Sequence, residues 1–205
     1  MVIVLKTVVI ASNNKNKVKE FKSLLGNSDI EFKTLNEIGY NKEIIEDGKS
    51  FEENAIIKAK QVASDLNVIT ISDDSGLEVY ALNMAPGIYS ARYAGTHDDE
   101  DNNQLLLKNL KGIKDRRARY ACAICVCHPN LEYKVVTEYC NGEIIDERRG
   151  QNGFGYDPYF YIKEFDKTFA EVPLEKKNTI SHRAKAIRKM KELLNEDFSF
   201  KWFSF

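Results

Sequence analysis

The 205-residue sequence shows no excess of either charge: 30 lysines and arginines stand against 31 aspartates and glutamates, a formal net charge of -1. A duplex-binding surface normally carries a basic excess, so nucleic acid is not expected as a partner. An anionic ligand would instead need a local cluster of cations. No run approaches the ~18 apolar residues of a membrane span, so no membrane is expected either. The apolar start, Met1 to Ser12, is broken by Lys6 and Thr7 and has no charged stretch before it. It reads as a buried strand rather than a signal peptide. Without a secretory context, the four cysteines read as free thiols in a reducing cytoplasm. Internal repeats and low-complexity linkers are also missing. What remains is an ordinary globular composition, 43% hydrophobic and 30% charged, and a length suited to one domain, 1–205, with a full core.

The periodicities predict the elements in turn. Val2 to Ala11 is β-branched and apolar, and Asn13 and Asn14 break it. From Lys15, the residues Val18, Phe21, Leu24 and Leu25 recur at helical spacing until Gly26. Asp29 to Leu35 reads as a strand. A helix over Phe51 to Leu66 has Ser50 and Glu53 as a capping box, and its apolar face is Phe51, Ala55, Ala59, Val62, Ala63 and Leu66. A strand from Val68 to Ser72 runs into an acidic turn, Asp73-Asp74-Ser75-Gly76, and Leu77 to Ala81 leaves it as another strand. Ala85-Pro86-Gly87 is a loop before a helix at about Asp99 to Leu110. Tyr120 to Cys127 and Tyr133 to Cys140 form an antiparallel pair. Gly150 to Asp157 precedes a last helix, about Ser181 to Asn195, striped by Ala184, Ile187, Lys191 and Leu194. Helices interleaved with strands of both kinds predict an α/β fold with a mixed sheet.

Four segments have the residue types for chemistry, and each has a plainer alternative. In Ser12-Asn13-Asn14-Lys15-Asn16-Lys17, small polar side chains and two lysines meet at the positive end of a helix, which suits phosphate. The spaced glycines of a P-loop are missing, and an Asn N-cap with solvated lysines fits equally. Asp73 and Asp74 are adjacent carboxylates at a strand end, costly unless a cation or donors neutralise them. All-oxygen surroundings suit magnesium, and the alternative is an Asp-Ser-Gly turn. Glu46, Glu52 and Glu53 could complete a metal site, or the last two could serve the helix dipole. In Gly150-Gln151-Asn152-Gly153-Phe154-Gly155-Tyr156-Asp157-Pro158, glycines let the backbone approach a flat ligand beside an aromatic face, where stacking on a base is worth about 1–3 kcal/mol. A glycine-rich turn is the alternative. At the start of the last helix, Lys177, Ser181, His182 and Arg183 concentrate donors for phosphate or carbonyl, or form a Ser cap with basic neighbours.

Other clusters favour plain readings. Cys122, Cys125 and Cys127 lie on an apolar strand where Cys122 and Cys125 point to opposite faces. Asp98-Asp99-Glu100-Asp101 lacks the glycine and terminal glutamate of a calcium loop and reads as the acidic first turn of a helix. Arg116, Arg117 and Arg119 read as solvated, with a phosphate role as the alternative.

The joint order of the motifs resembles the inosine triphosphate pyrophosphatase family, also called dITP/XTP diphosphatases, over nearly the full length. The match is carried by Ser12-x-Asn14-x-x-Lys17, Ser50 to Ala55, Asp73 to Leu77, Ala85 to Tyr93, Asn152 to Pro158, and Lys177 to Arg183. The resemblance implies an elongated two-lobed α/β fold around a long central mixed sheet, with the active site in the cleft between lobes. It also implies a homodimer, a Mg2+ cofactor, and hydrolysis of ITP, dITP and XTP to the monophosphate and pyrophosphate. On this analogy Ser12, Asn14 and Lys17 hold the triphosphate, with Asn13, Lys15 and Asn16 in the same binding segment. Asp74 binds the metal and helps activate water, and Ser75 contacts substrate. Phe154, Gly155, Tyr156 and Asp157 line the nucleoside pocket, while Lys177, His182 and Arg183 contact the nucleotide and read the base.

There are two departures from the family pattern. Relatives often have two acids before the glycine matched by Gly48, and the first, a metal ligand, falls here at Ile45. Either Glu46 takes that role, or Asp74 and substrate oxygens hold the metal. Asn13 stands where many relatives have glycine. A pyrophosphatase for pyrimidine or modified nucleotides, and a nucleotide sensor without catalysis, are the rival readings.

Overall fold

Parallel pairing of three strands through helical crossovers organises the first half of the chain. The computed structural model describes residues 6–25 and 30–196. The predicted strand from Val2 is seen as β1, Lys6–Ile10, and its first residues, like the helix stop at Gly26 and the strand start at Asp29, lie outside the described residues. Helix α1 (Lys15–Leu25) leads to β2 (Ile30–Thr34), and α2 (Phe51–Leu66) to β3 (Ile69–Val79). β1 pairs in parallel with both β2 and β3. Then follow α3 (Asp99–Asn109), β4 (Arg117–Cys127), β5 (Tyr133–Ile144), β6 (Phe160–Ile162), β7 (Lys167–Thr168), α4 (Leu174–Ile180) and α5 (His182–Glu196). The sheet runs β2-β1-β3-β4-β5-β6-β7, with β5–β6 and β6–β7 antiparallel. β4 and β5 are neighbours joined by residues 128–132, too short for the crossover that parallel strands require. The sheet is therefore mixed and the class α/β, as expected.

Two compact units share these strands. The first comprises the described residues of 1–74, 123–137 and 183–205, and the second 75–122 and 138–182. Val9, Ala11, Leu35, Tyr40 and Val62 pack together in the first. In the second, Leu77, Leu106, Tyr120, Tyr156, Phe160 and Phe169 belong to one cluster. Tyr120 to Cys127 is buried without a break, the pattern of a strand covered on both faces. Its cysteines and Cys140 are buried free thiols, and burial pushes those of Cys125 and Cys127 up. Among the described residues no helix is long and apolar enough to cross a membrane.

Three local expectations are corrected. The acidic segment is not a turn between two strands: Asp73 to Gly76 lies inside the single strand β3. That strand stops at Val79, and Tyr80–Leu82 is a turn of 3-10 helix. An Asp-Ser-Gly string favours a turn only when its backbone bends, and pairing between strands overrides that tendency here. The capping box at α2 is shifted. Ser50 Oγ accepts the Glu53 N–H at 3.1 Å, but Glu53 Oε2 reaches back to the Lys49 N–H at 2.6 Å. Finally, the last helix is preceded by a separate one, α4, so Lys177 does not lie at the start of α5; extended backbone at Ser181 divides the two. Lys191 sits in the apolar stripe of α5 because its ammonium donates to the Leu24 and Leu25 carbonyls, 3.1 and 3.3 Å away. Those are orphan acceptors at the end of α1.

Candidate functional site

In the first unit, the loop after β1 is organised by its own side chains. Ser12 Oγ accepts the Asn14 N–H at 3.2 Å, and Asn14 Oδ1 accepts the N–H groups of Asn16 and Lys17 at 3.0 and 3.2 Å. Asn14 is thus an N-cap, the plainer of the two readings. Asn13, Lys15 and Asn16 are exposed. Lys17 turns inward instead, its ammonium 3.1 Å from Asp73 Oδ2.

Asp73 belongs to a buried chain of alternating charge. Arg183 Nη2 lies 3.2 Å from Asp73 Oδ2, and Arg183 Nη1 pairs with Glu20. Lys17 and Glu20, three residues apart on α1, share a face. Burial alone would raise the Asp73 carboxyl, but the charges of Lys17, Arg183 and Lys58 outweigh it and hold the group well below the usual carboxylate range. Arg183 is 1% exposed. Its loss would leave two buried carboxylates undercompensated, so Arg183→Met is expected to cost about 3–5 kcal/mol, read as a lower urea midpoint.

Asp74 projects from the opposite face of β3, as side chains alternate along a strand. Asn54 Nδ2 donates to Asp74 Oδ2 at 3.0 Å, while Asn54 Oδ1 accepts the Gly48 N–H at 2.9 Å. A Cβ at Gly48 would stand 2.7 Å from Asn54 Oδ1, so glycine permits this approach. One helical turn beyond Asn54, buried Lys58 pairs with Glu46 at 2.5 Å. Burial raises the Asp74 carboxyl above its ordinary value, while Lys17, Lys58 and the Asn54 hydrogen bond pull it down and Glu46 adds to the rise. Glu52 and Glu53 are engaged elsewhere: Glu52 Oε1 accepts from Thr137 Oγ1 at 2.5 Å, and Glu53 serves Lys49. Asn54, Lys58 and Glu20 were given no role from the sequence. The signal for the first two was their i, i+4 spacing on the helix that follows Gly48.

In the second unit, Asp157 ties together the glycine-rich segment. Its Oδ2 accepts the Phe154 N–H at 3.0 Å and the Lys177 ammonium at 2.7 Å, and Tyr120 also hydrogen-bonds to it. Gly153 adopts φ +75° and a Cβ there would lie 2.0 Å from Asp157 Oδ2, so only glycine fits. The Lys177 ammonium stands 5.2 Å from the centroids of both the Phe154 and Phe169 rings. Phe154 is half-buried, whereas Tyr156 is buried and donates to the Ser90 carbonyl at 2.8 Å. The His182 ring stacks on Tyr120 at 4.7 Å and 12°. Ser75, half-buried, follows Asp74 on β3.

A family model described as the Ham1 family matches residues 8–193. The chain belongs to the Ham1 family. It is 49% identical over 195 residues to the dITP/XTP pyrophosphatase of Bacillus subtilis, covering 94% of this chain and 98% of that one. It is 48% identical to the Bacillus licheniformis protein of the same name, covering 94% and 100%. The solved structure of the Staphylococcus aureus Ham1 protein is similar with a TM-score of 0.84 at 46% identity, covering 93% of this chain and 98% of that one. A HAM1 protein from Coxiella burnetii gives 0.85 at 38% identity, covering 94% and 100%.

The donor set of this Ham1 chain suits a hard divalent cation. Among the described residues no three His, Cys, Asp or Glu side chains gather as a ready cage. Magnesium does not need one: it takes one or two carboxylates and fills the remaining positions with water and phosphate oxygens. Asp74, a carboxylate made costly by burial and oriented by Asn54, matches that requirement. Glu46 is close enough to raise Asp74 but is paired with Lys58. Ile45 is 67% exposed, and its apolar side chain offers no ligand atom.

Proposed function

We propose that this chain hydrolyses non-standard purine nucleoside triphosphates, such as ITP, dITP and XTP, to the nucleoside monophosphate and pyrophosphate. Membership of the Ham1 family and the pyrophosphatase names of its relatives support the activity. The observation that carries the mechanism is the gathering of Lys17 and Asp73 in one ion pair, with Asp74 under the charge of Lys17 and Lys58. A cationic helix start and an acidic strand thus meet at one place, where a polyphosphate and its counter-ion find complementary charge.

The residues divide the work. Lys17, with Ser12 and Asn14 shaping its loop and Asn13, Lys15 and Asn16 at its surface, takes charge on the polyphosphate. Lys58 adds a second cation. Asp74 orients the attacking water for in-line displacement and accepts its proton. Asp74, with Glu46 as the further acid, would hold Mg2+, which when bound neutralises charge developing on the leaving pyrophosphate. Phe154 offers a face for the base, Gly155, Tyr156 and Asp157 shape the nucleoside loop, and Ser75 contacts substrate; of the base-reading candidates Lys177, His182 and Arg183, His182 makes the contact, since Lys177 and Arg183 are committed to carboxylates. The same reading makes residues 1–205 one functional domain, forming a homodimer in the cytoplasm, where buried free thiols stay reduced.

The test is a panel of ITP, dITP, XTP, ATP and pyrimidine triphosphates with Mg2+, analysed for pyrophosphate against orthophosphate. Orthophosphate as the first product, or a preference for pyrimidines, rejects the proposal. A second outcome follows from Asn54. Asn54→Ala removes the donor that orients Asp74, and kcat at saturating Mg2+ is expected to fall about 10–100-fold, the usual effect of losing a partner that orients a ligand. Steady-state assays across Mg2+ concentration check it.

A further inference from the structure

The acidic run at the start of α3 does more than favour a helix dipole. Asp98 is the cap, its Oδ1 accepting the N–H groups of Glu100 and Asp101 at 2.8 and 3.0 Å. Asp99, the next residue, reaches across to the glycine-rich loop, where its Oδ2 accepts the Gly155 N–H at 2.7 Å. One turn further along the same helix face, the buried Asn103 donates from Nδ2 to the Gly155 carbonyl at 3.0 Å. Both polar atoms of one residue in that loop are therefore taken by side chains spaced i, i+4 on α3.

We propose that Asp99 and Asn103 are positioning residues for the nucleoside, acting through a two-point grip on Gly155. This rests on the reading that the Phe154 to Asp157 loop receives the nucleoside. Gly155 sits at φ +62°, and a Cβ there would meet nothing within 4 Å. Glycine is present for its backbone conformation alone, and without a side chain it contributes no packing to hold that conformation. The loop is moored on both sides. Gln151 and Asn152 donate to the Ala170 carbonyl at 3.0 and 2.9 Å, and Asp157 holds the Phe154 N–H. Between these anchors the Gly155 peptide follows the aromatic face, so its orientation sets how the Phe154 ring is presented. The grip from α3 supplies that order.

The test uses Asp99→Ala, Asp99→Asn and Asn103→Leu in the full chain, with two readouts. Amide hydrogen exchange of the 150–158 segment reports the grip itself, and calorimetric binding of inosine monophosphate reports its consequence. Asp99 is exposed, so Asp99→Ala is expected to fold normally even if Asn103→Leu does not. Exchange of the loop should quicken in Asp99→Ala, and the dissociation constant for inosine monophosphate and the KM for ITP should each rise about three- to tenfold, the range of one hydrogen bond, with kcat within about twofold. Asp99→Asn keeps an accepting oxygen and should restore both. Unchanged exchange in Asp99→Ala overturns the grip, and faster exchange with wild-type affinity overturns its role in positioning. A wild-type chain that does not bind inosine monophosphate overturns instead the assignment of the loop to the nucleoside, and the proposal falls with it.

Discussion

Asp74→Asn is expected to lower kcat by about two to four orders of magnitude, the combined loss of base and metal functions. The substitution keeps the volume of the side chain and keeps an oxygen that can accept from Asn54 Nδ2, at 3.0 Å in the native chain. What disappears is the charge and the basicity. Burial already makes the carboxylate reluctant to ionise, with Lys17 and Lys58 offsetting part of that cost. Replacing it by an amide removes a strained charge, so the variant should be no less stable than the parent while turning over far more slowly. Loss of rate without loss of stability is the signature to measure, by steady-state kinetics beside urea denaturation. Near-wild-type turnover in the folded variant would reject Asp74 as the acting carboxylate.

Its neighbour makes the contrast. Asp73 is adjacent in sequence, but the strand sends it to the other face, into the ion chain with Lys17, Arg183 and Glu20. The two aspartates look equivalent in the sequence, and only alternation along an unbroken strand separates the acid of the ion chain from the one proposed to be catalytic. Reading Asp73 to Gly76 as a turn hid that alternation, because turn residues carry no fixed facing. The helices α1, α2, α3 and α5 and the hairpin of β4 and β5 were legible because hydrophobic periodicity reports burial directly. β6, β7 and α4 are short, two to seven residues, and a period cannot establish itself over so few positions.

The candidate site was legible in the same uneven way. Local motifs make candidates of Lys17, Asp74 and the Phe154 loop, since glycines, paired acids and a lysine at a helix start are visible in a short window. Partners that arrive from far along the chain were not. Glu20 meets Arg183 across 163 positions and Asn54 meets Asp74 across 20, and nothing in a single sequence encodes such pairings. The Lys177 to Arg183 segment shows the consequence. Read as one cluster of donors, it is divided by Ser181. Lys177 is committed to Asp157, and Arg183 to Glu20 and Asp73.

That division bears on base selection, where the second large effect is expected: kcat/KM for ITP should exceed that for ATP by up to about 10^4–10^5. Hypoxanthine and xanthine present a 6-oxo acceptor, whereas adenine presents an amino donor. A pocket built from donors hydrogen-bonds the former and leaves its own buried donors facing another donor with the latter, which costs the full desolvation of both. Because the Lys177 and Arg183 side chains already serve carboxylates, the proposed reading assigns the discrimination chiefly to His182. His182 is held flat against Tyr120, which restrains the plane of its ring before substrate arrives, and a restrained donor discriminates better than one that can turn away. Competition between ITP and ATP in one reaction, followed by separate quantification of the two monophosphates, measures the ratio directly. A ratio near one would show that the pocket is not built from donors, while leaving the phosphate chemistry at Lys17 and Asp74 intact. Adenine and hypoxanthine nucleotides carry the same triphosphate, so any difference between them must come from the base.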